Sequence, residues 1–199
     1  LPRPLPRPNM PTLTPAEFSL IYNVMSLCIA SMFAGALFLF FSRSQVAPKY
    51  RPALLISALV PTIACYHYFR IAHSFDAAYM LQDGSYVPSG QPFNDAYRYA
   101  DWLLTVPLLV IELVAVMGLS KAMTRSLATK LSVAAALMIA LGYPGEIATE
   151  SGTAWLWWVL SMIPFLYIMV PLFTKFGAAV AGQPDNVQPP VAKGGGLVL

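Results

Sequence analysis

The chain is 199 residues long, 57% hydrophobic and only 11% charged, with a mean hydropathy of +0.61. That balance argues against a soluble domain and for a polytopic membrane protein. The net charge of +3 is small and scattered, so no nucleic-acid partner is implied. Cys28 and Cys65 fall in apolar spans without metal-ligand spacing and read as small core residues, not as a disulfide or a metal site.

Residues 1–14 form a proline-rich extended arm with no visible signal peptide; the missing initial Met suggests a processed or truncated start. Thr14-Pro15-Ala16-Glu17 is a capping box with Pro at the first helical position, and it opens a helix over 15–42. Further spans are expected over 52–73, 95–119, 124–143 (ended by Pro144-Gly145) and 154–176, each close to the ~20 residues a bilayer requires. The connection 75–94 is long, with turn signals at Gln82-Asp83-Gly84-Ser85 and Pro88-Ser89-Gly90. Residues 177–199 read as a flexible tail, leaving 15–176 as an all-α integral membrane domain of five transmembrane helices.

Loop charge orients the spans. Arg43, Lys49 and Arg51 lie in the first connection, and Lys121, Arg125 and Lys130 are assigned to the third, so both face the cytoplasm. Asp76, Asp83 and Asp95 in the second, with Glu146 and Glu150 in the fourth, face outward. Arg3 and Arg7 oppose this pattern but are outvoted, which puts the amino terminus outside and the carboxyl terminus on the cytoplasmic side. Lys175, at the cytoplasmic end of the fifth span, suits a snorkelling role.

The third span carries the chemistry. Arg98, Asp101 and Glu112 interrupt an apolar run of membrane length, where each charge costs several kcal/mol and is a functional hypothesis by default. Asp101 and Glu112 are eleven residues apart, which on a helix is three turns to within about 20° and a rise of roughly 16 Å. Arg98, Asp101, Thr105, Leu108 and Glu112 therefore share one face. One helix could thus hold a proton acceptor near mid-membrane and a second carboxyl nearer the other side.

The run Arg98-Tyr99-Ala100-Asp101-Trp102-Leu103-Leu104-Thr105-Val106-Pro107 resembles the third helix of the microbial rhodopsins, in their proton-pumping branch that includes proteorhodopsin and xanthorhodopsin. The resemblance implies that Asp101 is the counterion and proton acceptor, Glu112 the proton donor and Arg98 the release-side gate. It implies that His67, on the second helix, pairs with Asp101, and that a short two-stranded hairpin fills the second connection. Trp102, Thr105, Leu109, Met138, Gly142, Trp158, Ser161 and Phe165 match retinal-pocket positions. Carotenoid-binding members have Gly at the position of Trp158, so an antenna in that mode is not expected.

The resemblance covers the first five helices of a seven-helix bundle; the sixth and the seventh find no match, and Pro171 is expected to interrupt the end of the fifth span. Lys175-Phe176-Gly177 faintly resembles the pattern around the family's retinal lysine, but Pro171 stands where the family has Asp one turn earlier, so that lysine is counted as absent. The cofactor expectation is accordingly split between retinal and either none or another pigment or lipid. The leading expectation is a structural or pigment-contacting subunit of a larger, energy-transducing membrane complex, not an enzyme. A protein partner or self-association, with membrane lipids, would cover the face left by the missing helices. The alternative is a light-driven outward proton pump whose last two helices lie outside this chain or on another polypeptide. A retinal-free proton-conducting or sensory protein is a third reading.

Overall fold

The structure, a computed structural model, describes residues 10–94 and 96–181. Helix α1 (Pro15–Ser42) begins and ends where the sequence predicts. The Glu17 N–H donates to Thr14 Oγ1 at 3.2 Å while the Thr14 N–H donates to Glu17 Oε2 at 2.8 Å. Two donors that the first turn cannot use internally are satisfied reciprocally. Two short 3-10 turns, Arg43–Gln45 and Pro48–Tyr50, lead into α2 (Arg51–Ala78). This helix runs five residues past the expected end at His73, because Ile71, Phe75 and Ala78 continue its buried stripe at i, i+4, i+7.

The expected hairpin follows directly. Strands β1 (Tyr79–Gln82) and β2 (Ser85–Pro88) pair antiparallel with Tyr79 opposite Pro88 and Gln82 opposite Ser85. Asp83 (φ 49°) and Gly84 (φ 81°) make the two-residue turn, both in the left-handed conformation that matches strand twist and favours Asp-Gly. Ser89 ties the exit of the hairpin to the end of α2, its N–H donating to Ala78 O at 2.9 Å and its hydroxyl to Ala77 O at 2.6 Å.

The last residues of the expected extended arm are fixed to this hairpin. Leu13 and Tyr86 exchange two backbone hydrogen bonds of 2.8 Å, and the Phe18 ring stacks on Tyr86 with centroids 3.8 Å apart. Phe75 and Tyr79 complete the aromatic group around Phe18, and burial pushes the Tyr79 phenol pKa up. Residues 1–9 of the arm lie outside the described residues.

Helices α3 (Ala96–Val116), α4 (Lys121–Glu146) and α5 (Ser151–Ala181) complete the described fold. α4 starts earlier than expected because Ser120 caps it, accepting from the Met123 N–H at 3.4 Å. Lys121, Arg125 and Lys130 are therefore helical residues and not loop residues. Pro144 does not end α4 but sits within its last turn, where little helix remains to disrupt. Nor does Pro171 end α5, whose helix continues to Ala181, as proline in a membrane helix can be tolerated. The α5 backbone reaches Ala181, overlapping the first residues assigned to a tail; 182–199 lie outside the described residues.

The helices divide into two units within α3, after Thr105. In the first, α1 and α2 pack over largely small buried residues, Ala36, Ala53, Ala58, Cys65 and Ala78, which let membrane helices approach closely. The Cys65 thiol lies 3.6 Å from Ile29 O, and both cysteines are free thiols. In the second, Val110, Val114 and Met117 of α3 pack with Leu127, Leu131, Ala134 and Ala135 of α4 and Ile168 of α5. Ser132 Oγ adds a 3.3 Å hydrogen bond to Pro107 O. Each of the five long helices is apolar enough to cross a bilayer, and the exposed Leu27, Phe38, Phe41, Trp155 and Ile163 suit contact with lipid.

Gly145 of α4 lies close against the first turns of α5. A Cβ there would lie 3.1 Å from Trp157 Cβ and 3.3 Å from Ala154 O, neither of which is the movable end of a side chain. Gly145→Ala is expected to destabilise the protein by about 1–3 kcal/mol through overpacking. The check is the midpoint of SDS-induced unfolding: an unchanged midpoint would show that the helices separate without strain.

Candidate functional site

The polar row of α3 is protected at Asp101 and Thr105 and only partly elsewhere. Asp101 is 5% exposed and Thr105 4%, while Arg98, Leu108 and Glu112 are half-buried. The apolar residues between them, Leu103, Leu104 and Leu113, are exposed. Past Thr105 the buried side of α3 is that of Val110, Val114 and Met117, roughly opposite Glu112 on the helix, so burial follows the polar row only over its first half. Thr105 Oγ1 donates to Asp101 O at 2.9 Å, so this hydroxyl is engaged with the helix backbone one turn back and not with the carboxylate.

His67 of α2 is an electrostatic neighbour of Asp101. Both Asp101 Oδ1 and His67 Nδ1 are buried without a hydrogen-bond partner among the described residues. The two groups predicted to pair are therefore brought together, but these two atoms do not bond each other. A buried carboxylate oxygen left without a donor is costly, and such an atom calls for a cation or a further donor. The residues fit the group that the family implies, since a cationic linkage to retinal would satisfy Asp101 Oδ1.

The apolar pocket candidates are distributed as follows. On α3, Trp102 and Leu109 are 40% and 47% exposed and, seven residues apart, occupy the same side of the helix. On α4, Met138 and Gly142 are half-buried one turn apart. On α5, Trp158 is 53% exposed and packs edge-on against Trp155 at 5.4 Å. Ser161 and Phe165 are half-buried, with Ser161 Oγ donating to Trp158 O at 2.8 Å. Among the described residues no group of His, Cys, Asp and Glu could hold a metal.

Sequence reasoning passed over one polar pair. Arg70 of α2 donates from Nη2 to Tyr97 Oη at 2.8 Å, with its guanidinium 5.2 Å from the ring centroid. Arg70 lies about one turn beyond His67, and Tyr97 one turn before Asp101. A charged residue late in an apolar span was the available signal.

These features define a multi-pass helical membrane protein with a buried carboxyl, and a half-buried histidine near it, in its transmembrane region. Residues 20–193 match the family model described as bacteriorhodopsin-like protein. The chain belongs to that family and is a microbial, type 1 rhodopsin. It is 30% identical over 151 residues to the green-light absorbing proteorhodopsin of Gamma-proteobacterium EBAC31A08, covering 76% of this chain and 55% of the relative. To the bacteriorhodopsin of Halobacterium salinarum it is 30% identical over 171 residues, covering 84% and 60%. Among solved structures it superposes on xanthorhodopsin, described as a light-driven ion pump with dual chromophore, with a TM-score of 0.87 and 52% identity over 92% of this chain and 75% of that one. Thermophilic rhodopsin gives a TM-score of 0.86 at 51% identity, covering 93% and 74%.

The chain thus spans little more than half the length of these curated relatives. They lend no support to the leading expectation of a structural subunit, and favour the alternative, a pump, because the matched proteins are themselves light absorbers or a light-driven ion pump.

Proposed function

We propose that this chain is the larger part of a light-driven outward proton pump that binds retinal, with the retinal lysine carried outside these 199 residues. The observation that carries the reading is Asp101: a buried carboxylate, one oxygen unsatisfied, beside His67 and on the same helix as Glu112. When bound, retinal supplies the light-driven displacement of charge. Asp101 holds the counter-charge and takes up a proton at Oδ1, the atom that lacks a partner. His67 lends its imidazole as the adjustable neighbour of that carboxyl. Arg98, one turn from Asp101 toward the start of α3, guards the release side. Glu112, three turns the other way, returns a proton from the side on which Lys121 and Arg125 at the start of α4 lie, taken as the cytoplasmic side from the excess of basic residues at that end of the spans.

On this reading Trp102, Thr105, Leu109, Met138, Gly142, Trp158, Ser161 and Phe165 are the positions that the family resemblance assigns to contact with the polyene. The remainder of the bundle, with lipid, covers the exposed helix faces without a separate subunit. The large Trp158 side chain argues against a carotenoid seated at that position.

The test is expression of the full-length protein with all-trans retinal added. A visible absorption band that hydroxylamine bleaches in the light, together with light-driven acidification of a cell suspension that a protonophore abolishes, is the expected outcome. A correctly folded protein that forms no band would sink the pump reading and restore the scaffold.

A further inference from the structure

Between α4 and α5 runs an open groove of about 470 Å³. Leu137 and Leu141 of α4 and Leu160, Pro164 and Tyr167 of α5 line it, and Lys130 closes one end as its single charged residue. Met138, Gly142, Ser161 and Phe165, the pocket candidates on these helices, are each one residue on from a lining residue, rotated by about 100°. The groove is thus a different face from the one assigned to retinal. From Lys130 to Leu141 its floor extends roughly 16 Å, which is about half the ~30 Å hydrocarbon thickness of a bilayer and so the depth of one leaflet.

Lys130 decides what fits. It lies nine residues along α4 from Lys121, about 13 Å from the helix start, so its ammonium is below the level marked by Lys121 and Arg125. An exposed lysine at that depth must reach back to the interface or meet an anion. The geometry points to a specific site for one anionic glycerophospholipid, with an acyl chain along the α4–α5 groove and the headgroup phosphate on Lys130 Nζ. A zwitterionic lipid would fill the groove equally well but gain less at Lys130. The site selects by charge at one end and by shape along the rest, independently of the retinal chemistry.

The test uses the purified full-length protein in phosphatidylcholine bilayers with trace spin-labelled phosphatidylglycerol or phosphatidylcholine, reading the motionally restricted lipid. A preference for phosphatidylglycerol of about fivefold is expected; it should vanish in Lys130→Gln and persist in Lys130→Arg and Lys121→Gln. Leu137→Trp, which fills the groove and leaves the lysine, should lower the restricted population for both lipids. A preference that survives Lys130→Gln, or that Lys121→Gln removes equally, overturns the site. Efficient crosslinking of two copies through Leu137→Cys overturns it too, since a second chain would then hold the groove.

Discussion

Asp101→Asn is expected to abolish light-driven proton release while leaving a coloured, folded protein. Asparagine matches aspartate in shape and can still offer an oxygen to whatever faces Oδ1, but it cannot take up a proton. The site is 5% exposed, so bulk water cannot stand in for the lost acceptor. Positioned proton-transfer groups typically contribute 10²–10⁴-fold, so a loss of at least about 100-fold in the initial rate of acidification follows. Asp101→Glu keeps the ionisable group and adds one methylene to a packed position; partial activity is expected from it. The measurement is light-induced pH change in vesicles, normalised to the visible band. Undiminished transport in Asp101→Asn, at equal pigment, would remove Asp101 from the proton path.

Several parts of this molecule were legible in sequence because they depend on local chemistry. The capping box at Thr14 and Glu17 fixed the start of α1 to the residue. Asp83-Gly84 announced a turn that only residues tolerant of positive φ can make. The row on α3 was visible because charge in an apolar run is expensive, and helical periodicity alone puts its members on one side. What stayed hidden depends on partners distant in sequence. Nothing around Leu13 announces a backbone pairing with Tyr86, and Gly145 looks like a terminator until Trp157 is seen against it. Pro144 and Pro171 misled because proline was read by the rules of exposed helices. In membrane-spanning helices proline can be tolerated, and here both helices continue past it. Its charge put Lys130 in a loop, and only its place on α4 reveals the groove beneath it. Reading the chain's function from the lysine it lacks was also misleading, since its relatives are nearly twice as long as the stretch they share with it.

Glu112→Gln should separate the two carboxyls by their place in the cycle. Asp101 and Glu112 are three turns apart on α3, roughly 16 Å, whereas a proton passes between groups in hydrogen-bond contact or across one water. They cannot exchange a proton directly, so on the proposed pump reading each serves its own leg of the path, and the loss of one should leave the other leg intact. The first flash on Glu112→Gln should therefore release a proton with ordinary speed. Recovery should slow by about 10²-fold or more, since the proton must then come from water past the apolar residues between Glu112 and Asp101. Continuous illumination would show low transport despite a normal first turnover. A small permeant weak acid, able to carry a proton to the same depth, should restore recovery in proportion to its concentration. A purely structural Glu112 would behave otherwise: its substitution would lower the visible band or the unfolding midpoint, and added weak acid would change nothing. Flash photolysis with a pH-sensitive dye distinguishes the cases, and unaltered recovery in Glu112→Gln would assign the donor's role elsewhere.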